Sequence, residues 1–370
     1  MKRIYADNAS TTVIDDRAFE AMLPFLKEHY GNPSSHHFIG REAKRAIEKA
    51  RKDIAGYFGE GDVYFTSGGS ESNNWAITAT AKLMRAKGKT HIITSAFEHH
   101  SVLNCCKELE REGFTVTYIK PDKDGIISPA DVENAIGSNT GLVSIMYVNN
   151  ELGTLQPIQE ISDICRKNGV LFHTDAVQAV GKIEIASTAA DFISFSAHKF
   201  HGPKGIGGLF VRKGLALPTF INGGNQEYGK RAGTENVAGI VAMAEALINS
   251  GNNSSIRKLT EKLIAELTEI SGTHLNGKPC TDTGIVNIRF DGIDSESLML
   301  MLDLKGICVS AGAACTTGNR ESSHVLKAIG LSDKEAQSCV RFSLSKYNTE
   351  NEIDEIISVT GNIAEQLRKM

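Results

Sequence analysis

The sequence predicts an α/β protein with a mostly parallel seven-stranded sheet in a large domain and a smaller α+β domain at the C-terminal end. Between about residues 34 and 211, short β-branched runs alternate with helical patterns. This alternation is typical of βαβ units whose sheet is covered on both faces. Two helical patterns then follow one another without a strand, separated by the polar stretch 250–255. The length of 370 residues suits about two domains, each with a core of its own.

The individual elements follow from apolar periodicity and from glycine and proline punctuation. Seven runs are predicted as strands of the large sheet: 63–66, 91–94, 115–119, 142–148, 170–173, 192–196 and 208–211. Helices are predicted between them at 71–87, 101–112, 128–136 and 157–168. Beyond these, the sequence predicts helices 235–249 and 255–270, strand 285–290, helix 295–303, strand 339–344 and a final helix from about Thr349.

Composition and charge exclude several classes of protein. A hydrophobic fraction of 41% and a charged fraction of 23% exclude a mostly disordered chain. The net charge is −4 with no long basic run, so we expect no direct binding of nucleic acid or of an anionic membrane surface. No stretch approaches the roughly 18 apolar residues of a membrane span, and Asp7 comes before any apolar segment can form. We therefore expect neither a membrane span nor a secretory signal, and a cytoplasmic location.

Cysteine usage agrees with that location. The chain has seven cysteines, an odd number, and no Cys-x-x-Cys spacing. A disulfide framework, a zinc ribbon and a thioredoxin motif are therefore not expected. Taken one at a time, most of these cysteines are expected to be small buried side chains.

Polar residues follow five of the predicted strands directly. Ligands of open α/β sheets bind beyond the carboxyl ends of the strands, so we expect these residues to share one site. The five clusters are 67–71, 98–100, 149–151, 174–178 and 196–199.

The first cluster contains the glycine-rich turn Ser67-Gly68-Gly69-Ser70 between a strand and a helix. Glycine lets an anion approach the backbone, and a helix N-terminus offers free N–H groups, so the turn suits a phosphate. It is neither a Walker A loop nor a GxGxxG fingerprint. Taken alone, it also fits an ordinary glycine turn.

Lys199 is the most informative single residue. It directly follows a predicted buried strand and lies beside His198 in a glycine-rich segment, which is unlike a solvated helix surface. A lysine with a lowered pKa forms Schiff bases with aldehyde cofactors. Asp175, at another strand end, is suited to pair with the pyridinium nitrogen of pyridoxal phosphate. His198 and His201 also raise a metal pair as an alternative, but no HExxH motif or further nearby ligand supports it.

These residues belong to motifs that extend over almost the whole chain. They are Asp7-Asn8-Ala9 with Thr11-Thr12, Gly31-Asn32-Pro33-Ser34-Ser35, Phe65-Thr66-Ser67-Gly68, Glu98-His99, Val148-Asn149-Asn150-Glu151, Asp175-Ala176-Val177-Gln178, Ser196-Ala197-His198-Lys199 with Gly202-Pro203-Lys204-Gly205-Ile206-Gly207, Arg231-Ala232-Gly233-Thr234 and Arg341-Phe342-Ser343-Leu344. Together they resemble the NifS/IscS-like cysteine desulfurases, in the class-V aminotransferase superfamily of fold-type I pyridoxal-phosphate enzymes. The sequence departs from frequent family residues at Ser10, Ala232, Ala311 and Ala313, and none of these departures removes a group assigned below.

The resemblance implies a fold-type I enzyme with pyridoxal 5'-phosphate as its cofactor. Residues 15–253 would form the large cofactor-binding domain, and residues 1–14 with 254–370 the small domain that carries the catalytic cysteine loop. The implied catalytic residues are Lys199, His99 and Cys315. The implied cofactor-binding residues are Gly69, Ser70, His99, Asn150, Asp175, Gln178, Ser196, His198, Lys199 and Thr234, the last from the other subunit of a homodimer. Asn150 and Arg341 would bind the substrate.

The same resemblance implies a reaction. L-cysteine would be converted to L-alanine, with its sulfur passed to Cys315 as a persulfide and from there to an acceptor protein. That acceptor would be an iron–sulfur scaffold or a carrier for tRNA thiolation or thiamin synthesis. No bound metal is implied, apart from a transient contact between Cys315 and an iron–sulfur cluster.

Two alternatives to a cysteine desulfurase remain open at this stage. One is a selenocysteine lyase or another class-V lyase or transaminase. The other is a catalytically inactive scaffold protein that keeps the fold. Lys199, Asp175 and Cys315 favour the desulfurase, and Cys339, inside a predicted strand, is expected to be packed.

Overall fold

The computed structural model describes residues 3–185, 190–251, 254–311 and 322–369. The strands in these residues are β1 (Ile4–Tyr5), β2 (Gly61–Thr66), β3 (His91–Ser95), β4 (Thr115–Ile119), β5 (Thr140–Ser144), β6 (Leu171–Asp175), β7 (Phe192–Ser196), β8 (Gly207–Arg212), β9 (Thr273–Leu275), β10 (Ile285–Phe290), β11 (Ile307–Cys308) and β12 (Cys339–Ser343). The helices are α1 (Asp16–Lys27), α2 (Phe38–Phe58), α3 (Gly69–Arg85), α4 (His100–Arg111), α5 (Pro129–Ala135), α6 (Ile158–Lys167), α7 (Gln226–Gly229), α8 (Val237–Ile248), α9 (Ser254–Glu269), α10 (Ser295–Leu304), α11 (His324–Ala328), α12 (Asp333–Ala336) and α13 (Glu350–Arg368).

The large sheet has seven strands in the order β2-β8-β7-β6-β5-β3-β4. Strand β8 runs antiparallel to both of its neighbours, and the remaining pairs are parallel. All five residues of β7 are buried, as expected for a strand covered on both faces. The predicted α/β fold with a mostly parallel seven-stranded sheet is therefore confirmed.

The strand order reverses around β3, which has β4 on one side and β5 on the other. The chain passes outward from β3 to β4 and then returns to β5, so the loops that follow β3 and β5 leave the sheet in opposite directions. Between these two loops a crevice opens at the edge of the sheet, and open α/β sheets bind their ligands in crevices of this kind. His99 follows β3 and Asn150 follows β5.

The first residues of the chain join the C-terminal sheets. Ile4 pairs with Ile307 between β1 and β11, and Asp7 forms a bridge with Ser343 at the end of β12. Ile4 also packs in one apolar core with residues from 263 to 364. The N-terminal segment therefore contacts the C-terminal part, and the predicted grouping of residues 1–14 with it stays a prediction. The boundary itself stays a prediction, because Val325 of α11 packs into the core of the large sheet instead.

Several parts of the structure differ from the sequence-based expectation. Helices α1 and α2 were not predicted, and α1 contains Pro24 in its interior. The strand expected at 142–148 ends at Ser144. The backbone N–H groups of Ile145 and Tyr147 still donate to β6, but that of Met146 donates to the buried carboxyl group of Glu98 at 2.9 Å. Among the described residues, no helix is long and apolar enough to cross a membrane.

Candidate active site

A cavity of about 500 Å³ opens beyond the carboxyl ends of the central strands. The predicted site residues that line it are Gly69, Ser70, His99, Asn150, Asp175, Gln178, Ser196, His198, Lys199 and Arg341. Of the remaining predicted residues, only Thr234 belongs to the described part of the chain, and it does not line this cavity. Thr234 is exposed elsewhere on the chain, and Cys315 lies outside the described residues.

Lys199 ends a short 3₁₀ turn, Ala197–Lys199, that continues directly from β7. Its Nζ donates to the backbone oxygens of Ala9 and Ser10 at 2.6 and 2.9 Å. Burial and the nearby positive charge of Arg341 lower the pKa of Lys199 to about 8. The side chain therefore has a much larger uncharged, nucleophilic fraction at neutral pH than an ordinary lysine.

Asp175 is the last residue of β6 and is held at both carboxylate oxygens. Asn73 of α3 donates its Nδ2 to Asp175 Oδ2 at 2.7 Å, and the backbone N–H of Val177 donates to Oδ1 at 3.0 Å. Asn73 Nδ2 also donates to Ser101 Oγ at 2.9 Å. Sequence reasoning missed Asn73. The sequence did contain a signal, because two adjacent asparagines, Asn73 and Asn74, lie one turn into helix α3.

His99 caps the N-terminus of α4. Its Nδ1 accepts the backbone N–H of Ser101 at 3.1 Å, so the neutral ring carries its proton on Nε2. Burial lowers the pKa of His99; the carboxylate of Asp175 acts against this, and Lys199 adds to it. The uncharged imidazole ring is therefore suited to stack on the ring of an aromatic ligand that enters the cavity.

The glycine-rich turn forms a cradle at the start of α3. Gly68 has φ of 156°, and a Cβ on Gly69 would lie 2.5 Å from the side chain of Val177. A Cβ on Gly207, in the neighbouring strand β8, would lie 2.7 Å from the Cα of Gly68. Small residues therefore let this turn lie against the sheet with its amide groups at a helix N-terminus. Such a cradle fits a phosphate group.

The cradle is held from behind by an ion pair. Glu71 accepts the backbone N–H of Ser67 at 2.8 Å and also binds Arg231 through both carboxylate oxygens, at 2.8 and 3.1 Å. On the open side lie Ser196 and His198, and burial with the charge of Lys199 lowers the pKa of His198 to about 4.

Arg341 of β12 reaches the cavity from the small sheet. Its Nη2 donates to Asp7 Oδ1 at 2.9 Å and Ser10 Oγ at 2.7 Å, and its Nη1 donates to the backbone oxygen of Asn150 at 2.9 Å. Among the described residues, Arg341 Nε and Asn150 Oδ1 are buried without a hydrogen-bond partner. The Asp7 contact was not foreseen from the sequence. The two unpartnered atoms leave a donor and an acceptor for a small polar ligand.

The amino-acid sequence of nearly the whole chain matches a known protein family. Residues 4–356 match the family described as Aminotransferase class-V. A cysteine desulfurase IscS of Methanosarcina thermophila is 46% identical over 379 residues, which cover the whole of this chain and 94% of that protein. A cysteine desulfurase IscS of Dictyoglomus turgidum is also 46% identical, over 380 residues, with 100% and 96% coverage.

Solved structures show the same relationship. A NifS-like protein superposes with a TM-score of 0.92 at 38% identity, covering 99% of this chain and 100% of that one. A structure of SspA in complex with cysteine gives a TM-score of 0.84 at 37% identity, covering 94% and 100%. The fold and cavity thus define a class-V aminotransferase-type enzyme. The chain belongs to that family and, within it, to the group of its cysteine desulfurase relatives.

Proposed function

We propose that this protein is a pyridoxal-phosphate-dependent cysteine desulfurase. The observation that carries the proposal is the convergence of Lys199, Asp175 and Arg341 on one cavity in a chain whose relatives bear that name. The residues present fit the cofactor: a phosphate cradle at Gly69, a carboxylate for a ring nitrogen at Asp175 and a weakly basic amine at Lys199. When bound, pyridoxal phosphate would act as the electron sink that makes the substrate Cα proton acidic.

The chain's own residues would hold the cofactor in four ways. Ser70 with the Gly69 backbone, Ser196 and His198 would bind the phosphate, and Asp175 would keep the ring nitrogen protonated through a charge-assisted hydrogen bond. Gln178 would donate to the phenolate oxygen, and the uncharged ring of His99 would lie on the face of the pyridine ring.

The substrate would lie on the Arg341 side of the cavity. The amino-acid carboxylate would accept from the guanidinium, where Nε is buried and unpartnered, and Asn150 would bond to the same substrate. Lys199 would take the proton from Cα. The thiolate of Cys315 would then attack the substrate sulfur, so that a carbon–sulfur bond breaks and a sulfur–sulfur bond forms. Protons returned from Lys199 and His99 would complete L-alanine, leaving a persulfide on Cys315.

The activity is tested by incubating the protein with L-cysteine and a thiol reductant. The proposal expects alanine and sulfide in equal amounts, together with a visible absorption band from the bound cofactor. Alanine formed from L-selenocysteine but not from L-cysteine would identify a selenocysteine lyase instead. Absence of the band and of both products would overturn the proposal.

We also propose that the enzyme is a homodimer that shares its active sites. Thr234 is exposed and does not line its own chain's cavity, which suits a role at the phosphate of a partner subunit. Mixing Thr234→Ala with Lys199→Ala chains tests this, because a heterodimer would then contain one site with both residues intact. We expect turnover above that of either parent. If Thr234 acted within its own chain, mixing would give no gain.

The remaining assignments belong to the same proposal. The sulfur acceptor would be an iron–sulfur scaffold or a carrier for tRNA thiolation or thiamin synthesis, and the enzyme would work in the cytoplasm. Sulfide release measured with and without candidate acceptors would identify the partner, since a true acceptor should raise the turnover of persulfide.

A further inference from the structure

Lys182 is a second lysine beside the cavity that the proposed mechanism does not use. It lies four residues after Gln178, and its Nζ donates to Gln178 Oε1 at 2.7 Å. At the other end of that amide, Gln178 Nε2 donates to the backbone oxygen of Ala9 at 2.8 Å. The same Ala9 oxygen accepts from Lys199 Nζ at 2.6 Å. One carbonyl therefore joins Gln178 to the reactive lysine, and Lys182 holds the far end of the amide.

The two partners of Gln178 fix its orientation. A side-chain amide has nearly the same shape when its nitrogen and oxygen are exchanged, so hydrogen bonding decides which atom points where. The carbonyl of Ala9 only accepts, so it fixes Nε2 on its side of the amide, and Lys182 Nζ donates to Oε1 on the other side. A phenolate oxygen, like a carbonyl, only accepts. Nε2 is thus the atom presented on the Lys199 side, where the phenolate oxygen of a cofactor would need a donor.

Charge adds to this orientation. The positive groups that act on Lys182 are Lys199 and Arg341, and Lys182 in turn acts on His198 and His201. Burial, followed by these two charges, lowers the pKa of Lys182 to about 7. The N–H that Lys182 donates to Oε1 polarises the amide and makes its N–H groups stronger donors, most of all below about pH 7, where Lys182 is charged.

We propose that Lys182 is a positioning residue for the cofactor: by bonding to Gln178 Oε1 it directs and strengthens the Gln178 Nε2–H donor toward the phenolate oxygen of pyridoxal phosphate. This inference rests on the proposed function, since it requires that pyridoxal phosphate binds at Lys199. Losing the donor leaves the phenolate oxygen more basic. The pH at which the visible cofactor band titrates should therefore rise, and the cofactor should bind more weakly.

The experiment is a double-mutant cycle on the cofactor-loaded protein with Lys182→Met, Gln178→Ala and the double variant. The readouts are the pH midpoint of the visible band and the Kd of pyridoxal phosphate, neither of which is a measurement of turnover. Lys182→Met keeps the length of the side chain and removes the donor. We expect a Kd raised about tenfold, the size of one charge-assisted hydrogen bond, and a higher midpoint. In the Gln178→Ala background, Lys182→Met should change neither quantity.

A second variant separates the hydrogen bond from the charge and serves if Lys182→Met does not fold. Lys182→Gln is uncharged but keeps a donor, and we expect its Kd to stay within about threefold of wild type. A Lys182→Met effect that is equally large without the Gln178 amide, or a Lys182→Gln loss as large as that of Lys182→Met, would overturn the inference. Failure of the wild-type protein to bind pyridoxal phosphate would overturn the proposed function instead.

Discussion

The two halves of the active-site cavity hold their polar groups in different ways. On the half that would hold the cofactor, Asp175 ends strand β6 and Lys199 ends the short turn after the adjacent strand β7, and each is bonded to a fixed neighbour. On the half that would hold the substrate, Arg341 extends from a different sheet and bonds to Asp7, which is 334 residues away in sequence.

The difference also appears in what is left unpartnered. Both carboxylate oxygens of Asp175 accept hydrogen bonds, whereas the Arg341 side retains a buried donor at Nε and a buried acceptor at Asn150 Oδ1 among the described residues. A resident cofactor needs a site that is already complete, and an exchanging substrate needs groups that it can satisfy itself. Variants in the two halves should therefore separate cofactor binding from turnover.

The largest expected effect comes from removing the group that both halves depend on. Lys199→Ala leaves a methyl group that can neither bond covalently to an aldehyde nor accept a proton. We expect loss of the visible band and a fall in alanine formation of at least about 10³-fold. Lys213→Ala, at an exposed lysine paired with Glu60, is the matched control and should retain both. Wild-type sulfide production by Lys199→Ala would contradict the assignment.

Cys315→Ser should divide the cofactor chemistry from the sulfur transfer. A serine hydroxyl stays protonated and is a poor acceptor of sulfur, so we expect alanine formation to fall about 10²-fold or more. The cofactor band should persist and should still shift when L-cysteine is added.

Cys339→Ser is the control for that prediction. Cys339 is buried, Asn276 donates to its Sγ at 3.1 Å, and burial raises the pKa of its thiol to about 12. It is therefore unsuited to act as a thiolate, and its replacement should leave turnover largely intact. Undiminished alanine formation by Cys315→Ser would exclude Cys315 as the nucleophile.

The same comparison explains what could be predicted from the sequence. Asp175, Lys199 and His99 were found because each follows a strand, and strand ends of a parallel sheet converge by geometry alone. The contacts of Asn73 and Asp7 were missed, because they depend on side chains that meet only after helix α3 and the N-terminal segment have packed. Spacing along the chain carries no information about a pair 334 residues apart.

Helix α1, which was not predicted, shows a related limit. Phe19, Leu23 and Leu26 of α1 are exposed in this single chain, so the apolar positions do not mark one buried face. A pattern of that kind is expected where another surface covers the helix, and sequence alone does not show that surface.

Arg341→Lys tests the substrate half on its own. Lysine keeps the positive charge but lacks the planar fork that would bind a carboxylate and Asp7 together. We expect KM for L-cysteine to rise about 10- to 100-fold, while the Kd of pyridoxal phosphate changes less than about threefold. Asp7→Asn, which keeps the side-chain shape, should give a smaller change in KM in the same experiment. An equal loss of cofactor and substrate binding would mean that the two halves are not separable.

The smallest effect is expected at the contact that joins the two parts of the chain. Asp15, just before α1, accepts at Oδ2 from Lys346 Nζ at 2.7 Å and from Tyr347 Oη at 2.8 Å, both beyond β12. Burial acts to raise the pKa of Asp15, but these bonds outweigh it and lower the pKa to about 2. Because the folded-state pKa is below the ordinary value, the stabilisation is present above about pH 4 and is lost as the pH falls toward 2.

Asp15→Asn removes that charge and keeps a side-chain oxygen that can still cap α1. We expect the free energy of unfolding to fall by about 1–2 kcal/mol at pH 7, and the difference from wild type to shrink toward zero near pH 2. Denaturant unfolding at both pH values measures this. Asp16→Asn, at the exposed neighbouring carboxylate, is the control and should change stability by only a few tenths of a kcal/mol. A deficit of Asp15→Asn that persists unchanged at low pH would show that packing at this junction, and not the charge of Asp15, joins the substrate half to the cofactor half.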